Sequence, residues 1–172
     1  VGTPDFGVTD CPAGYYRSAL IVRAEDPRKE VTEFVNATFA YNQTFSQSGY
    51  AAAFWHIKPK GFWFENRLHT EQHLNSARAV ADGRADIASL DAVSWRLIAK
   101  YESFTDELKV LEWTQPTPGL PLITSMENDA AAIFNAVKKS IAQLQNNDKT
   151  LLGINDIVQI PKENYLKIPN PT

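Results

Sequence analysis

The sequence predicts an α/β fold built around a mostly parallel sheet. Between about residue 38 and residue 113, short apolar runs typical of strands alternate with segments whose apolar residues recur at helical spacing. This alternation is typical of βαβ units, in which a helix connects two parallel strands. Residues 85–90 are predicted to form one of these strands, with Asp91 at its C-terminal end.

Strands are predicted where apolar runs lie between turn-forming residues. Residues 1–14 are rich in Gly, Pro and Asp, so they are predicted to form a loop. The run "YRSALIVRA" at 16–24 has a continuous apolar centre, which indicates burial on both faces, and Asp26 and Pro27 end it. The six predicted strands are 16–24, 38–41, 62–69, 85–90, 108–113 and 120–124.

Helices are predicted where apolar residues share one face and helix-ending residues follow. Pro59 and Gly61 end the second predicted helix, and Gly83 ends the third. The predicted helices are 31–35, 48–58, 71–82, 92–101, 129–145 and a short one around 150–152, before an extended segment at 157–160.

Composition excludes several classes of function. The 172 residues carry a formal net charge of −3 with acids and bases interspersed, so no basic face for nucleic acid is predicted. No apolar run approaches the roughly 18 residues of a membrane span.

The single cysteine, Cys11, has two interpretations. It is a buried, inert thiol, or it is half of a disulfide whose partner lies outside this sequence.

Polar residues follow three of the predicted strands, at 42–49, at 70–73 and at Asp91. The carboxyl ends of parallel strands meet at one edge of a sheet, where ligands of such folds bind. The sequence therefore predicts that these three groups converge on one crevice.

The segment "SQSG" at 46–49 stands where the second helix is predicted to begin. Ser46 or Ser48 can cap that helix through its hydroxyl group, which is the simpler interpretation. The first helical turn also offers unpaired N–H groups and a partial positive charge, and Gly49 lets a ligand approach the backbone closely. The second interpretation is an oxyanion seat, that is, a binding site for an oxyanion at this helix start. The segment "SQSG" is not a P-loop, because no lysine follows the glycine.

The segment "HTEQH" places His69 and His73 four residues apart, a spacing that can hold a metal on one helix face. It lacks the glutamate of the zinc-protease motifs, so no metal site is predicted. His73, at a helix start, is better placed to donate to an anion.

Asp91 is either the N-cap of the next helix or an acceptor for a protonated ligand oxygen or an amine. No catalytic set and no cofactor are predicted.

Four segments, in this order, resemble the PhnD-like substrate-binding proteins: "GYYRSALIVRAEDP" (14–27), "YNQTFSQSGY" (41–50), "HLNSARAVADGRADIASLDAVSW" (73–95) and "VLEWTQPTPGLPLITS" (110–125). These are the phosphate-, phosphite- and phosphonate-binding components of ABC transporters. The resemblance covers nearly the whole chain. It implies the type 2 periplasmic-binding-protein fold, with two α/β lobes, two crossover strands and a ligand in the cleft.

The resemblance also implies how the chain is divided. Residues 26–112 correspond to the complete second lobe, and 1–25 with 113–172 to hinge strands and a partial first lobe. Family members begin with a further strand–helix segment that has no counterpart here, so the first lobe is expected to be incomplete. In many relatives that segment carries a cysteine, which would suit a disulfide to Cys11 in an oxidising periplasm. The resemblance thus implies a periplasmic protein, secreted or lipid-anchored through the missing segment.

Carried over residue by residue, the oxyanion seat of the family matches Ser46, Gln47 and Ser48, its cleft tyrosine matches Tyr16, and its histidine matches His73. The resemblance therefore favours the oxyanion seat over a simple cap at "SQSG". The positions that bind the ligand amine in aminophosphonate-binding members match Val93 and Leu120, which are apolar, although Asp91 lies nearby. Thr117 is a weaker candidate. A compact anion such as phosphate or phosphite fits better than an aminophosphonate.

The predicted function is the solute-binding component of an ABC transporter, which holds a small phosphorus oxyanion and delivers it to a membrane permease. The alternative is a ligand-sensing input domain of a signalling protein with the same fold. An enzyme is not predicted, because no acid–base pair or nucleophile stands out.

Overall fold

The structure is a computed structural model that describes residues 1–169. These residues form two compact units. The smaller unit consists of Val1–Tyr16 and Pro116–Ile168, and the larger unit consists of Arg17–Gln115 with Pro169. The lobe limits implied by the resemblance, 26 and 112, stay a prediction.

The described elements run from a strand near the amino terminus to a short helix near residue 166. The strands are β1 (Thr3–Asp5), β2 (Tyr15–Tyr16), β3 (Ser18–Arg23), β4 (Phe39–Tyr41), β5 (Arg67–His69), β6 (Ile87–Asp91), β7 (Leu108–Trp113), β8 (Thr117–Pro118) and β9 (Asp156–Val158). The α-helices are α1 (Ala52–Ile57), α2 (His73–Ala81), α3 (Ala92–Tyr101), α4 (Ala130–Gln143), α5 (Asn146–Leu152) and α6 (Lys162–Leu166). Short 3₁₀ turns cover Val31–Phe34, Lys58–Lys60 and Ser103–Glu107, and a π-helical turn covers Gln47–Ala51.

The larger unit contains a five-stranded sheet in the order β5-β4-β6-β3-β7. Strand β4 is parallel to both of its neighbours, whereas β3 is antiparallel to both of its own. Because β3 is antiparallel to both β6 and β7, the other four strands share one direction, so the sheet is mostly parallel as predicted and β3 alone is reversed. Strand–helix alternation reveals direction only for strands that a single crossover connects, and the partners β6 and β7 of β3 are distant in sequence.

The central strand β3 has core on both faces, as its apolar run predicts. Ala19 and Ile21 face one cluster of buried residues, and Leu20 and Val22 face the other, because successive side chains of a strand point to opposite faces. The first cluster includes Ala77 and Val80 of α2, Ala88, Leu90 and Ile98. The second includes Val31, Phe34, Phe39, Ala53, Ile57, Phe64 and Ile87.

The three mutually parallel strands β5, β4 and β6 end at the same edge of the sheet. Their last residues are His69, Tyr41 and Asp91. The π-helical turn and the helices α2 and α3 all begin just beyond this edge. The predicted convergence of the segments 42–49, 70–73 and Asp91 is thus present in the fold.

The smaller unit contains two short antiparallel pairs, β1 with β9 and β2 with β8. Its helix α4 is capped by Asp129, whose Oδ1 accepts hydrogen bonds from the Ala131 and Ala132 amides. Ile141 on α4 and Ile157 on β9 are buried. None of the helices within residues 1–169 has the length and apolar character needed to cross a membrane.

Three predicted elements differ from the structure. Residues 62–66 are not a strand; their aromatic side chains pack around Phe39, so their apolar character reflects core packing rather than strand pairing. Residues 120–124 make one isolated bridge, between Leu122 and Gly2, instead of a strand. The predicted loop at 1–14 contains β1, whose partner β9 lies about 150 residues away, beyond the reach of local patterns.

Acid is expected to destabilise the larger unit through Asp26. The Asp26 side chain is 4 % exposed, and Arg28 donates to both of its oxygens, at 2.9 and 2.6 Å. The hydrogen bond from Arg28 lowers the pKa of Asp26 from 3.8 to about 2. Since the folded-state pKa is depressed, this stabilisation of about 2 kcal/mol is present above the unfolded pKa and is lost as pH falls from about 4 to about 2.

Denaturant unfolding across that pH range measures the effect. Asp26→Asn should be less stable at neutral pH and should lose less stability on acidification. Asp82→Asn is the control, because Asp82 is an exposed carboxylate paired only with Arg84. An unchanged acid dependence in Asp26→Asn would contradict this assignment.

Candidate functional site

The helical run that begins at "SQSG" opens with a single π-helical turn, Gln47–Ala51, which leads directly into α1. Ser46 is its N-cap: its backbone is extended, and its Oγ accepts a hydrogen bond from the Gly49 amide at 3.0 Å. The first turn of a helix leaves amide groups without an intrahelical acceptor and carries a partial positive charge. Single π-helical turns are frequent at functional sites. The start of this run therefore has the electrostatics of an anion seat.

Ser48 lies in that turn and is buried, with 8 % of its surface exposed. Its Oγ lies 3.1 Å from Nε2 of His73, the first residue of α2. Its carbonyl oxygen accepts a hydrogen bond from the Ser89 Oγ on β6, at 2.6 Å. Three elements that are distant in sequence thus meet at Ser48.

His73 is uncharged at neutral pH. Burial lowers the pKa of the His73 imidazole below its usual 6.5, and the nearby Asp91 carboxylate opposes that shift. When Nε2 carries the proton of the neutral ring, His73 donates to the Ser48 Oγ, and the Ser48 hydroxyl proton is left to donate elsewhere. The pair then presents one hydroxyl donor at the start of the helical run.

Asp91 ends β6 and caps α3, its Oδ1 accepting a hydrogen bond from the Ser94 amide at 2.7 Å. The cap interpretation of Asp91 is therefore confirmed. It does not exclude a ligand contact, because a carboxylate has a second oxygen.

Close packing beside the π-helical turn explains why residue 49 is glycine. A Cβ at Gly49 would overlap the Asn42 Oδ1 and would lie 2.8 Å from the Asn42 Cγ and 3.1 Å from the Ser46 Oγ. The Asn42 side chain thus lies directly on the helix start that Ser46 caps.

A second layer of hydrogen bonds holds the start of α2. Thr70 Oγ1 lies 2.6 Å from the Ser76 Oγ, and both the amide and the hydroxyl of Thr70 donate to the Tyr41 carbonyl. Glu71 adopts a left-handed backbone (φ 69°), which is uncommon for a residue other than glycine. This turn joins the ends of β4 and β5 to α2 and so fixes the position of His73.

The structure brings Ser46, Gln47, Ser48, His73 and Asp91 to one edge of the larger unit. Tyr16 belongs to the smaller unit, where it is buried and pairs with Thr117. Within residues 1–169, no three His, Cys, Asp or Glu side chains are grouped to hold a metal ion, and the His69 Nε2 lies 3.1 Å from Gln43.

Sequence reasoning missed Ser89, and it placed Asn42 in the polar group 42–49 without giving it a role. A serine inside the apolar strand "IASLD" is the pattern that could have indicated Ser89, since a buried hydroxyl group needs a partner. The role of Asn42 depends on the close approach of two backbone segments, which no local pattern reports.

The chain is similar to a family of known proteins. A family model described as "ABC transporter, phosphonate, periplasmic substrate-binding protein" matches residues 9–161. No protein with a curated description matches the chain.

The solved structures that are similar to the chain include the following three. PhnD1 from Prochlorococcus marinus, in complex with methylphosphonate, has a TM-score of 0.75 at 13% identity. The alignment covers 88% of this chain and 64% of the PhnD1 chain. A binding-protein component of an ABC phosphonate transporter from Pseudomonas aeruginosa has a TM-score of 0.71 at 19% identity. The alignment covers 97% of this chain and 58% of the Pseudomonas chain. A histidine kinase sensor domain with similarity to periplasmic binding proteins has a TM-score of 0.57 at 16% identity. The alignment covers 90% of this chain and 64% of the sensor-domain chain.

These likenesses confirm the predicted α/β fold of the type 2 periplasmic-binding-protein class. The chain spans less than two thirds of the length of each of these three structures.

Proposed function

The chain belongs to the family of periplasmic substrate-binding proteins of phosphonate ABC transporters, and we propose that it binds a small phosphorus oxyanion, such as phosphate, phosphite or a phosphonate. The Ser48–His73 pair at the start of the helical run is the observation that carries this proposal. The neutral histidine orients the serine, and the serine hydroxyl and the amides of the first turn are the donors to the ligand oxygens.

The other residues that the resemblance matches to the ligand site have subordinate places in this proposal. Ser46 and Gln47 shape the turn, with the Ser46 Oγ held by the Gly49 amide. Tyr16 is buried in the smaller unit, and its role in ligand binding stays a prediction from the resemblance. The complex of the Prochlorococcus protein with methylphosphonate supports a ligand of this chemical class. No step of chemistry is proposed; the protein would hold the ligand and present it to a membrane permease from the periplasm.

Isothermal titration calorimetry with methylphosphonate, phosphite and phosphate tests the proposal. Ser48→Ala should weaken binding about 10- to 100-fold, because it removes a hydrogen bond to a charged ligand and leaves the buried His73 Nε2 without its partner. Ser140→Ala is the control, since the Ser140 hydroxyl donates only to the Ala136 carbonyl on an exposed helix. Equal affinities of Ser48→Ala and the unaltered protein would contradict the proposed seat.

The second candidate is a ligand-sensing input domain. The likeness to the histidine kinase sensor domain supports it at the level of the fold alone. Both candidates use the same seat, so binding does not separate them. Faster ATP hydrolysis by a reconstituted permease in the presence of the liganded protein would favour the transport role.

A further inference from the structure

The side chain of Asp91 points to the same side of the sheet as that of Ser89. The two residues are two positions apart on β6, and alternate residues of a strand share a face. The Ser89 Oγ donates to the Ser48 carbonyl, so this is the side on which the π-helical turn lies. The Asp91 carboxylate is close enough to His73 to act on its charge. Asp91 therefore faces the Ser48–His73 pair.

The two carboxylate oxygens of Asp91 differ in their environment. Oδ1 caps α3 through the Ser94 amide. Oδ2 accepts no hydrogen bond from any residue in the described range 1–169, and the residue is only partly buried. An ionised carboxylate oxygen accepts hydrogen bonds and donates none, so Oδ2 can hydrogen-bond an oxyanion only through an oxygen that carries a proton.

Two neighbours of Asp91 within residues 1–169, His73 and Arg17, bear on the charge that a ligand meets there. His73, on α2, is neutral at pH 7. Arg17, just before the neighbouring strand β3, approaches through its carbonyl oxygen, which accepts from the Ala92 amide, while its guanidinium lies over the Trp113 ring at 4.5 Å. An oxyanion on Ser48 thus meets a negative oxygen on one side.

We propose, on the basis of the function proposed above, that Asp91 selects oxyanions that carry a proton and rejects those that carry none. The P–OH group of a phosphonate or phosphate monoanion donates to the Asp91 Oδ2, while its other oxygens accept from Ser48 and the helix amides. A sulfonate or sulfate at neutral pH has no such proton, so its oxygen lone pairs face the carboxylate. Repulsion between like charges disfavours the wrong ligand.

Calorimetric titration of the protein with methylphosphonate and methanesulfonate, a pair matched in shape, tests this selection. The unaltered protein should bind methylphosphonate at least about 100-fold more tightly. Asp91→Asn keeps the helix cap, because asparagine caps as well as aspartate, and its amide can donate to a sulfonate oxygen. The ratio should fall to about tenfold or less in this variant. Asp129→Asn, which alters the equivalent cap of α4, should leave the ratio unchanged.

The pH dependence is the second readout. Affinity of the unaltered protein for methylphosphonate should fall as pH rises from about 6 to about 9, where the ligand loses its second proton. The pKa of the His73 imidazole lies below its usual 6.5, so the part of this fall above about pH 7.5 does not come from His73. In Asp91→Asn this fall should be much smaller.

Several results would overturn the inference. Equal affinity of the unaltered protein for methylphosphonate and methanesulfonate, or an unchanged ratio in Asp91→Asn, would do so while leaving the proposed function in place. Tighter binding of 2-aminoethylphosphonate than of methylphosphonate, lost in Asp91→Asn, would assign the carboxylate to an ammonium group instead. If the unaltered protein binds neither phosphorus nor sulfur oxyanions, the proposed function fails and this inference fails with it.

Discussion

Replacing Phe39 with alanine is expected to lower the free energy of unfolding by about 3–5 kcal/mol. Phe39 is fully buried on β4 at the centre of an aromatic cluster. Its ring stacks on Phe64 at 4.9 Å between centroids and meets the edge of Trp63 at 5.2 Å. The substitution removes a large apolar side chain and leaves a cavity among rings that cannot collapse without leaving their own contacts.

Phe45→Ala is the matched control for this prediction. Phe45 follows the same strand by a few residues, but 84 % of its surface is exposed, so its truncation should change stability by no more than about 0.5 kcal/mol. Denaturant unfolding of both variants, followed by tryptophan fluorescence and by circular dichroism, measures the difference. If the two substitutions have equal effects, Phe39 is not the centre of this core.

Replacing Gly49 with alanine is expected to impair both stability and ligand binding. In an ordinary helix the change would stabilise by up to about 1 kcal/mol. Here the new Cβ would overlap the Asn42 Oδ1 and approach the Ser46 Oγ to 3.1 Å. Relief requires movement of Asn42 or of the capping serine, so we expect a net destabilisation of about 1–3 kcal/mol and weaker binding of methylphosphonate.

A double-mutant cycle isolates the cause. In an Asn42→Ala background the overlap disappears, so Gly49→Ala should then be neutral or stabilising. Thermal unfolding of the single and double variants gives the coupling energy. A Gly49→Ala effect of the same sign and size in both backgrounds would show that the contact with Asn42 is not what requires glycine.

Much of the larger unit could be predicted from local patterns. The bounds of α3 and β7 match the predicted 92–101 and 108–113, because an N-capping residue starts the helix and a compact apolar run defines the strand. The aromatic run at 62–66 misled the strand prediction, since apolar character reports burial and does not by itself report strand pairing. The direction of β3 and the existence of β1 depend on partners far along the chain.

In the candidate site too, local patterns predicted some features, whereas others depend on residues that are distant in sequence. The residues alone left "SQSG" with two interpretations, a helix cap and an oxyanion seat. In the structure the two serines have different positions: the Ser46 Oγ caps the turn, and the Ser48 Oγ pairs with His73. The contact between residues 48 and 73 is a product of the parallel strands β4, β5 and β6, and no local pattern reports it. The resemblance to a family indicated Ser48 and His73 separately as ligand-binding residues, and the contact between them is seen only in the fold.

The most direct test of the oxyanion seat is a methylphosphonate titration of nitrogen-15-labelled protein, followed by the backbone amide and histidine imidazole resonances. Saturable shifts are expected to be largest at the Gln47 and Ser48 amides and at the His73 ring, because the ligand oxygens accept from the first turn of this helical run. Saturable shifts confined to other parts of the chain, with these resonances unmoved, would contradict it.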